Sequence, residues 1–158
     1  MAIAYNLDMA TPSSVGEVAA ELKEIAEDAG LFLPSPSSDF LMEEGVNTRR
    51  GTWVHVMPVR PESWNPVVTD LGFTPTASVV FRLARDVESC DQQDDMIRMV
   101  SPLLERVTGD AVLHRDFETI WLLRRSGDLS LNEREDIWPP RRLALMSQPY
   151  RRATFAME

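Results

Sequence analysis

The sequence predicts an α+β fold, in which an antiparallel or mixed sheet packs against two main helices. Two long segments have apolar residues at helical spacing, and several shorter segments alternate apolar and polar residues as half-buried strands do. These segments follow one another as strand, helix and strands, and then again in the same order. This order is compatible with a duplicated β-α-β-β unit that places both helices on one face of the sheet.

The first strand and the first helix are the best marked elements. Alternate positions in residues 2–9 are apolar, which predicts a half-buried strand. The start of the helix is marked in two ways: by Thr11 and Pro12 as N-cap and first helical residue, or by Ser14 and Glu17 as a capping box. Either start leaves one apolar stripe, formed by Val15, Val18, Ala19, Leu22, Ile25, Ala26 and Ala29.

The middle of the chain contains strands and one long connection. Residues 51–59 and 77–83 predict strands, and both faces of the first of these are expected to be covered. Residues 40–42 form a short apolar run that we interpret as another strand. Residues 60–76 contain three prolines and many apolar side chains, so this connection is expected to pack on the body or to contact a partner.

A second helix is predicted to begin near Ser89 or Asp91 and to end before Gly109. Pro102 lies inside its apolar stripe, where proline removes a backbone donor and should kink the helix or end its regular part. Strands follow at 111–113 and 119–123, and a hairpin turn is indicated at Ser126-Gly127-Asp128.

The chain of 158 residues has the length of one domain. We therefore expect a single domain over residues 1–158, with a C-terminal extension from about 138 to 158 that is rich in proline and arginine. A short helix is expected in this extension at 142–146.

Acidic residues outnumber basic ones, and the net charge is −9. Residues 1–48 carry nine acids and one base, residues 49–136 fifteen acids and eleven bases, and residues 137–158 one acid and four bases. An acidic surface repels the phosphates of DNA and RNA, so a nucleic-acid partner is not expected. The same charge suits a protein partner that is basic.

The sequence also predicts a cytoplasmic location and no membrane partner. Residues 1–5 lack a basic segment followed by a long apolar run, and no apolar run reaches the roughly 18 residues that a membrane span needs. Cys90 is the single cysteine, which excludes an internal disulfide and a cysteine-based zinc site. No cofactor is expected.

Motifs for catalysis or metal binding are not found in the sequence. His55 and His114 each stand alone on a predicted strand, and no phosphate-binding glycine motif or nucleophile elbow occurs. We therefore assign no catalytic, cofactor-binding or metal-binding residue and predict that the protein is not an enzyme. An enzyme would require acids such as Asp70 and Glu118 to converge with a histidine.

The candidate partner-binding residues come from the start of the second helix and from an exposed aromatic. They are Asp91, Asp94, Asp95 and Trp64. Three acids in one turn exceed what the helix dipole rewards, and a basic partner would relieve their repulsion while a tryptophan supplied an apolar anchor. The alternative is that Arg85 or Arg98 neutralises the acidic turn within the fold.

Four stretches of the chain carry a family resemblance. They are Thr69–Pro75, Gln92–Arg98, Trp138–Leu143 and Ser147–Arg152, within a match from about residue 51 to about residue 152 and a weaker match at the N-terminus. In these stretches the sequence resembles a group of actinobacterial proteins that are similar to the immunity proteins of myxobacterial swarming-inhibition (Sit-type) toxin systems. The resemblance transfers no functional residue to this chain.

The function that this resemblance implies is that of an immunity protein of a polymorphic-toxin or toxin–antitoxin system, which binds a cognate toxin and blocks it. Acidic residues would then accelerate the encounter with a basic toxin. The alternative function is a small-molecule-binding or regulatory domain. In that case a cleft between two β-α-β-β halves would hold the ligand, and the connection from Trp64 to Phe73 would cover it.

Overall fold

The computed structural model describes residues 3–35 and 37–155, and the described residues form one sheet and four α-helices. The strands are β1 (Ala4–Ala10), β2 (Val46–Asn47), β3 (Trp53–Pro58), β4 (Ala77–Arg82), β5 (Asp110–Arg115), β6 (Thr119–Arg125), β7 (Asp128–Asn132) and β8 (Arg151–Ala153). The helices are α1 (Val15–Asp28), α2 (Asp39–Met42), α3 (Ser89–Arg106) and α4 (Pro140–Leu143). None of these helices is long and apolar enough to cross a membrane.

The α+β class with two main helices is confirmed, and the sheet is mixed. The strand order is β2-β3-β4-β1-β5-β6-β7-β8. Neighbouring strands are antiparallel except β7 and β8, which are parallel. The predicted start of the first strand at residue 2 and the last three residues of the C-terminal extension lie outside the described residues.

The central strands belong to two interleaved β-α-β units. β1, α1 and β3 form one unit whose strands lie on either side of β4, and β4, α3 and β5 form another around β1. This is the split β-α-β arrangement of ferredoxin-like sheets. A β-α-β-β duplication would pair β2 and β3 after α1 with β5 and β6 after α3, but β2 is the outer strand of its pair and β5 is the inner strand of its pair. The spatial repeat is therefore limited to β-α-β.

One face of the sheet carries the main core. Leu7, Phe81 and Leu113 project from three neighbouring strands and are fully buried together with Leu22 of α1 and Ile97 of α3. The two helices also contact each other, so they lie side by side on this face. Burying each such side chain stabilises the fold by roughly 1.5–3 kcal/mol, which makes this layer the main source of stability.

The connection between β3 and β4 covers part of the other face. It contains a π-helix, Val67–Leu71. Val67 and Leu71 pack against Val112 of β5 and Ile120 of β6 in a second apolar cluster. The expectation that this long apolar connection packs on the body is confirmed.

The capping box decides where α1 begins. Glu17 donates its backbone N–H to Ser14 Oγ at 3.1 Å, and Ser14 donates its own N–H to Glu17 Oε1 at 3.0 Å. These two bonds satisfy donors that have no partner within the helix. The alternative start at Thr11 and Pro12 is wrong.

Several local predictions differ from the structure. Residues 40–42 belong to α2 and not to a strand. Trp53 and His55 of β3 are only half-buried, because the β3–β4 connection packs on β5 and β6 and their face of β3 is covered only in part, by the carbonyls of Glu44 and Met42 that contact their ring nitrogens. α3 continues through Pro102. β8 was not predicted, because its basic residues have no apolar alternation and its position depends on pairing with β7.

Candidate functional site

Asp94, at the acidic start of α3, receives its countercharge from the C-terminal segment. Asp94 accepts hydrogen bonds from Arg142 Nε at 2.7 Å and from Arg141 Nε at 3.0 Å. Arg142 is 1% exposed, and it also donates to the carbonyl of Ile137 and to the side chain of Gln93. A buried guanidinium and a buried carboxylate thus neutralise each other inside the fold.

The pKa of the Asp94 carboxyl lies below its ordinary value. Burial raises this pKa, but the hydrogen bonds and charges of Arg142 and Arg141 together lower it by more. Because the pKa is lower in the folded state than in the unfolded chain, the ionised carboxylate stabilises the fold above about pH 4. This contribution is lost as the pH falls through the folded-state pKa.

We therefore expect the free energy of unfolding to decrease as the pH falls below about 4, and we expect Asp94→Asn to reduce the steepness of this decrease. Urea unfolding at a series of pH values measures both slopes. The variant will be less stable near neutral pH, so the slopes and not the absolute stabilities are compared. If the dependence of unfolding free energy on pH were as steep in Asp94→Asn as in the unchanged protein, Asp94 would not be the source of the acid sensitivity.

Asp95 is also buried, and two arginines share it. Arg98 Nη1 donates to Asp95 Oδ1 at 2.8 Å. Asp95 Oδ2 lies 2.9 Å from Arg50 Nε, but the two are not aligned, and Oδ2 accepts no hydrogen bond within the described residues. Asp91 is exposed and lies 3.9 Å from Arg50. The sequence offered Arg85 or Arg98 as the internal partner of the acidic turn. Arg98 forms an ion pair with Asp95, and Arg85 forms no ion pair among the described residues.

Trp64 is exposed and lies away from the start of α3. Its exposed fraction is 72%. The connection that carries it leads into Ala77 at the start of β4, whereas α3 follows Arg82 at the end of β4. The connection that carries Trp64 and the acidic turn of α3 are therefore attached to opposite ends of this strand. The role of the four residues in partner binding stays a prediction.

His114 forms a buried pair with Asp8 on the sheet face opposite the helices. His114 Nε2 lies 2.8 Å from Asp8 Oδ2, and Nδ1 accepts the backbone N–H of Phe117 at 3.0 Å. Because the Phe117 N–H can only donate, Nε2 carries the ring proton and donates to Asp8. Both ring nitrogens are thus engaged within the protein. The pair was not predicted, because it depends on β1 and β5 being neighbours.

His55 belongs to an aromatic cluster instead. Its ring stacks on Trp53 with 5.1 Å between centroids, and Nε2 lies 3.2 Å from the carbonyl of Met42. Asp70 and Glu118 form no ion pair with either histidine in the described part of the chain. Across residues 3–35 and 37–155, no group of three or more His, Cys, Asp or Glu side chains is placed to hold a metal ion.

A cavity of about 470 Å³ opens between the end of α3, the β6–β7 hairpin and the C-terminal segment. Leu104, Leu129 and Pro149 contribute to its mostly apolar wall. Arg124 also lines it, but its guanidinium donates to the carbonyls of Leu104, Val107 and Gly109 at the end of α3. This arginine therefore caps the helix. The cavity does not lie between two halves of the fold, because β1 and β4 are hydrogen-bonded neighbours at the centre of the sheet.

Comparison with protein families identifies the chain. The family model described as SitI3-like matches residues 3–142. The chain belongs to the SitI3-like family. This is a family of Sit-type immunity proteins. No curated protein and no solved structure matches the chain.

Two of the stretches on which the sequence resemblance rested meet inside this SitI3-like fold. The stretch after Trp138 supplies Arg142, which pairs with Asp94 of the stretch Gln92–Arg98. Gln92 is fully buried and its amide bonds to both backbone groups of Ala84. The opposite charges of the two stretches are the signal in the sequence that indicates such a pairing.

The other two stretches also stabilise the SitI3-like fold. Ser147 donates its N–H to Ser101 Oγ at 3.1 Å, and Gln148 Nε2 donates to the carbonyl of Ser101 at 2.6 Å, which fastens the C-terminal segment to α3. Gly72 ends the π-helix in a left-handed conformation. Since these contacts are internal, the surface that meets a partner should be sought among exposed residues.

Proposed function

We propose that this protein is a non-catalytic immunity protein that neutralises a cognate toxin by binding to it directly. The observation that carries the proposal is the match to the SitI3-like family over residues 3–142. The engagement of both His114 nitrogens argues against a general-base role for this histidine, because a general base needs a free nitrogen that faces the substrate.

The test is co-expression with a toxin encoded at the same locus. We expect the protein to protect the cell from this toxin and the two purified proteins to elute as one complex in size-exclusion chromatography. A toxin from an unrelated locus is the control, against which no protection is expected. Failure to bind the neighbouring toxin and failure to protect would overturn the proposal.

The predicted partner-binding residues provide a sharper test. Trp64 and Asp91 are the two of the four that are exposed, so their replacement removes a possible contact and disturbs few internal ones. We expect Trp64→Ala to weaken toxin binding by about tenfold or more, since exposed tryptophans are frequent binding hot spots, and Asp91→Asn to slow association. Isothermal titration and stopped-flow kinetics measure the two effects.

The matched control for Trp64→Ala is Tyr150→Ala, which removes another exposed aromatic side chain. This control should bind as the unchanged protein does. Equal affinities for Trp64→Ala and Tyr150→Ala would remove Trp64 from the binding surface. Charge reversal of Asp94 and Asp95 should reduce stability in any case, because both carboxylates have arginine partners inside the fold.

A second candidate function is small-molecule binding in the cavity of about 470 Å³ at the end of α3. Its size and apolar wall are typical of ligand sites. Thermal-shift screening with metabolites, followed by Leu129→Trp to fill the cavity, tests this candidate. A ligand whose stabilising effect persists in the filled variant does not bind there.

A further inference from the structure

A continuous groove runs from α2 past the edge strand β2 to α3. Three adjoining cavities of about 230, 410 and 470 Å³ form it. The first two share Leu33 and Val46 in their walls, and the last two share Arg49. The groove therefore has an apolar end beside α2 and a polar end beside α3.

The apolar end exposes two large side chains. Leu33 is 68% exposed and Phe40 is 45% exposed, and both line the first cavity together with the buried Phe32 and Leu41. Two large apolar residues that face solvent across one cavity are a costly arrangement for a protein that stays alone, and such patches typically mark interaction sites. The cavity has room for one apolar side chain of a partner.

The polar end is basic, in contrast to the rest of the protein. Its cavity is lined by Arg49, Arg50 and Arg98 and by one carboxylate, Asp95. Arg49 forms no ion pair among the described residues, while Arg50 and Arg98 share the Asp95 carboxylate and Arg50 also lies 3.9 Å from the exposed Asp91. Lys23, at the apolar end, is paired with Glu27 at 3.0 Å and adds no free charge. Three guanidinium groups thus face one lining carboxylate and the neighbouring Asp91, which leaves this end locally basic in a chain whose net charge is −9.

Asp95 provides a second observation that points to a ligand at the polar end of the groove. Asp95 lines the cavity and is 2% exposed, and its Oδ2 lies 2.9 Å from Arg50 Nε but accepts no aligned hydrogen bond from the described residues. A buried acceptor whose nearest donor is misaligned would be stabilised by an aligned donor that enters the groove. A peptide segment supplies such a donor in its backbone N–H.

We infer that this groove binds an acidic segment of the protein partner, with one apolar side chain between Leu33 and Phe40 and carboxylates at Arg49, Arg50 and Arg98. The inference rests on the proposed function and names the surface and the chemistry of the contact. Guanidinium–carboxylate bonds fix the register of the segment, and the apolar side chain anchors it. A toxin that is basic overall, as the acidic surface favours, meets this groove through a local acidic segment.

The variants Arg49→Glu and Leu33→Ser test the groove in the full-length chain. Both side chains are exposed, so thermal unfolding should show that the variants are folded. We expect each variant to raise the dissociation constant for the toxin encoded at the same locus by about tenfold or more. Arg115→Glu makes the same charge change at an exposed arginine of β5 outside the groove, and this control should bind within about twofold of the unchanged protein. Groove variants that bind as the control does would overturn the inference.

A peptide probe separates failure of the groove from failure of the proposed function. The probe is a short synthetic peptide in which leucine and phenylalanine alternate with aspartate and glutamate, and its control replaces the acids with their amides. If the toxin does not bind at all, the proposed function fails, and the peptide then decides the inference. Amide chemical-shift changes confined to residues 31–50 and 95–98 with the acidic peptide alone support the groove. Equal changes with both peptides, or none, overturn it.

Discussion

Replacing Arg142 with alanine is expected to lower the free energy of unfolding by about 3–5 kcal/mol, the usual cost of removing one partner of a buried ion pair. Arg142 is buried, and its guanidinium binds Asp94, Gln93 and the carbonyl of Ile137. It also lies over the ring of Trp121, with 5.2 Å between its Cζ and the ring centroid. Without it, Asp94 keeps only Arg141 and the carbonyl of Ile137 loses a donor.

Urea unfolding of the purified variant measures this effect. The matched control is Arg141→Ala, which removes the other partner of Asp94 from a half-exposed position. We expect the control to lose at most about 1 kcal/mol, because solvent screens an exposed ion pair. Equal losses of unfolding free energy in the two variants would contradict the conclusion that the buried Arg142–Asp94 ion pair holds α4 against α3.

Replacing Gly109 with alanine is expected to destabilise the fold by about 2–5 kcal/mol, the sum of backbone strain and overpacking. Gly109 connects α3 to β5 with φ of +113°, a conformation that residues with a Cβ rarely adopt. An added Cβ would lie 1.9 Å from the carbonyl oxygen of Ala10. Because Ala10 is paired with Asp110 in the sheet, its backbone cannot move without disturbing the pairing of β1 with β5.

Gly127→Ala is the control for Gly109→Ala. Gly127 has φ of +82°, but an added Cβ would meet no heavy atom within 4 Å. This variant should therefore lose only the strain of about 1–2 kcal/mol. The difference between the free energies of unfolding of the two variants, measured by thermal or urea unfolding, gives the cost of the close contact between residue 109 and the Ala10 carbonyl of β1. No difference would show that the backbone relaxes freely at Gly109.

Local elements were predictable where one segment contains its own signal. The apolar stripe and the capping residues Ser14 and Glu17 determine α1, because a helix satisfies its backbone bonds within about four residues. The turn at Ser126 and Gly127 was predictable for the same reason, since both adopt positive φ between paired strands. β8 could not be predicted, because its three residues are a strand only by pairing with β7.

The candidate site shows the same division between features set by local sequence and features set by long-range packing. The sequence by itself determined the α+β class, the two helices and the acidic start of α3. Only the tertiary structure decided that Asp94 is neutralised by Arg142 and that Asp8 meets His114. These pairs join residues 48 and 106 positions apart, and such contacts depend on which elements become neighbours after the chain has closed its long loops. Local periodicity and capping carry no information about that choice, so the side chains available to a partner became known from the packed fold.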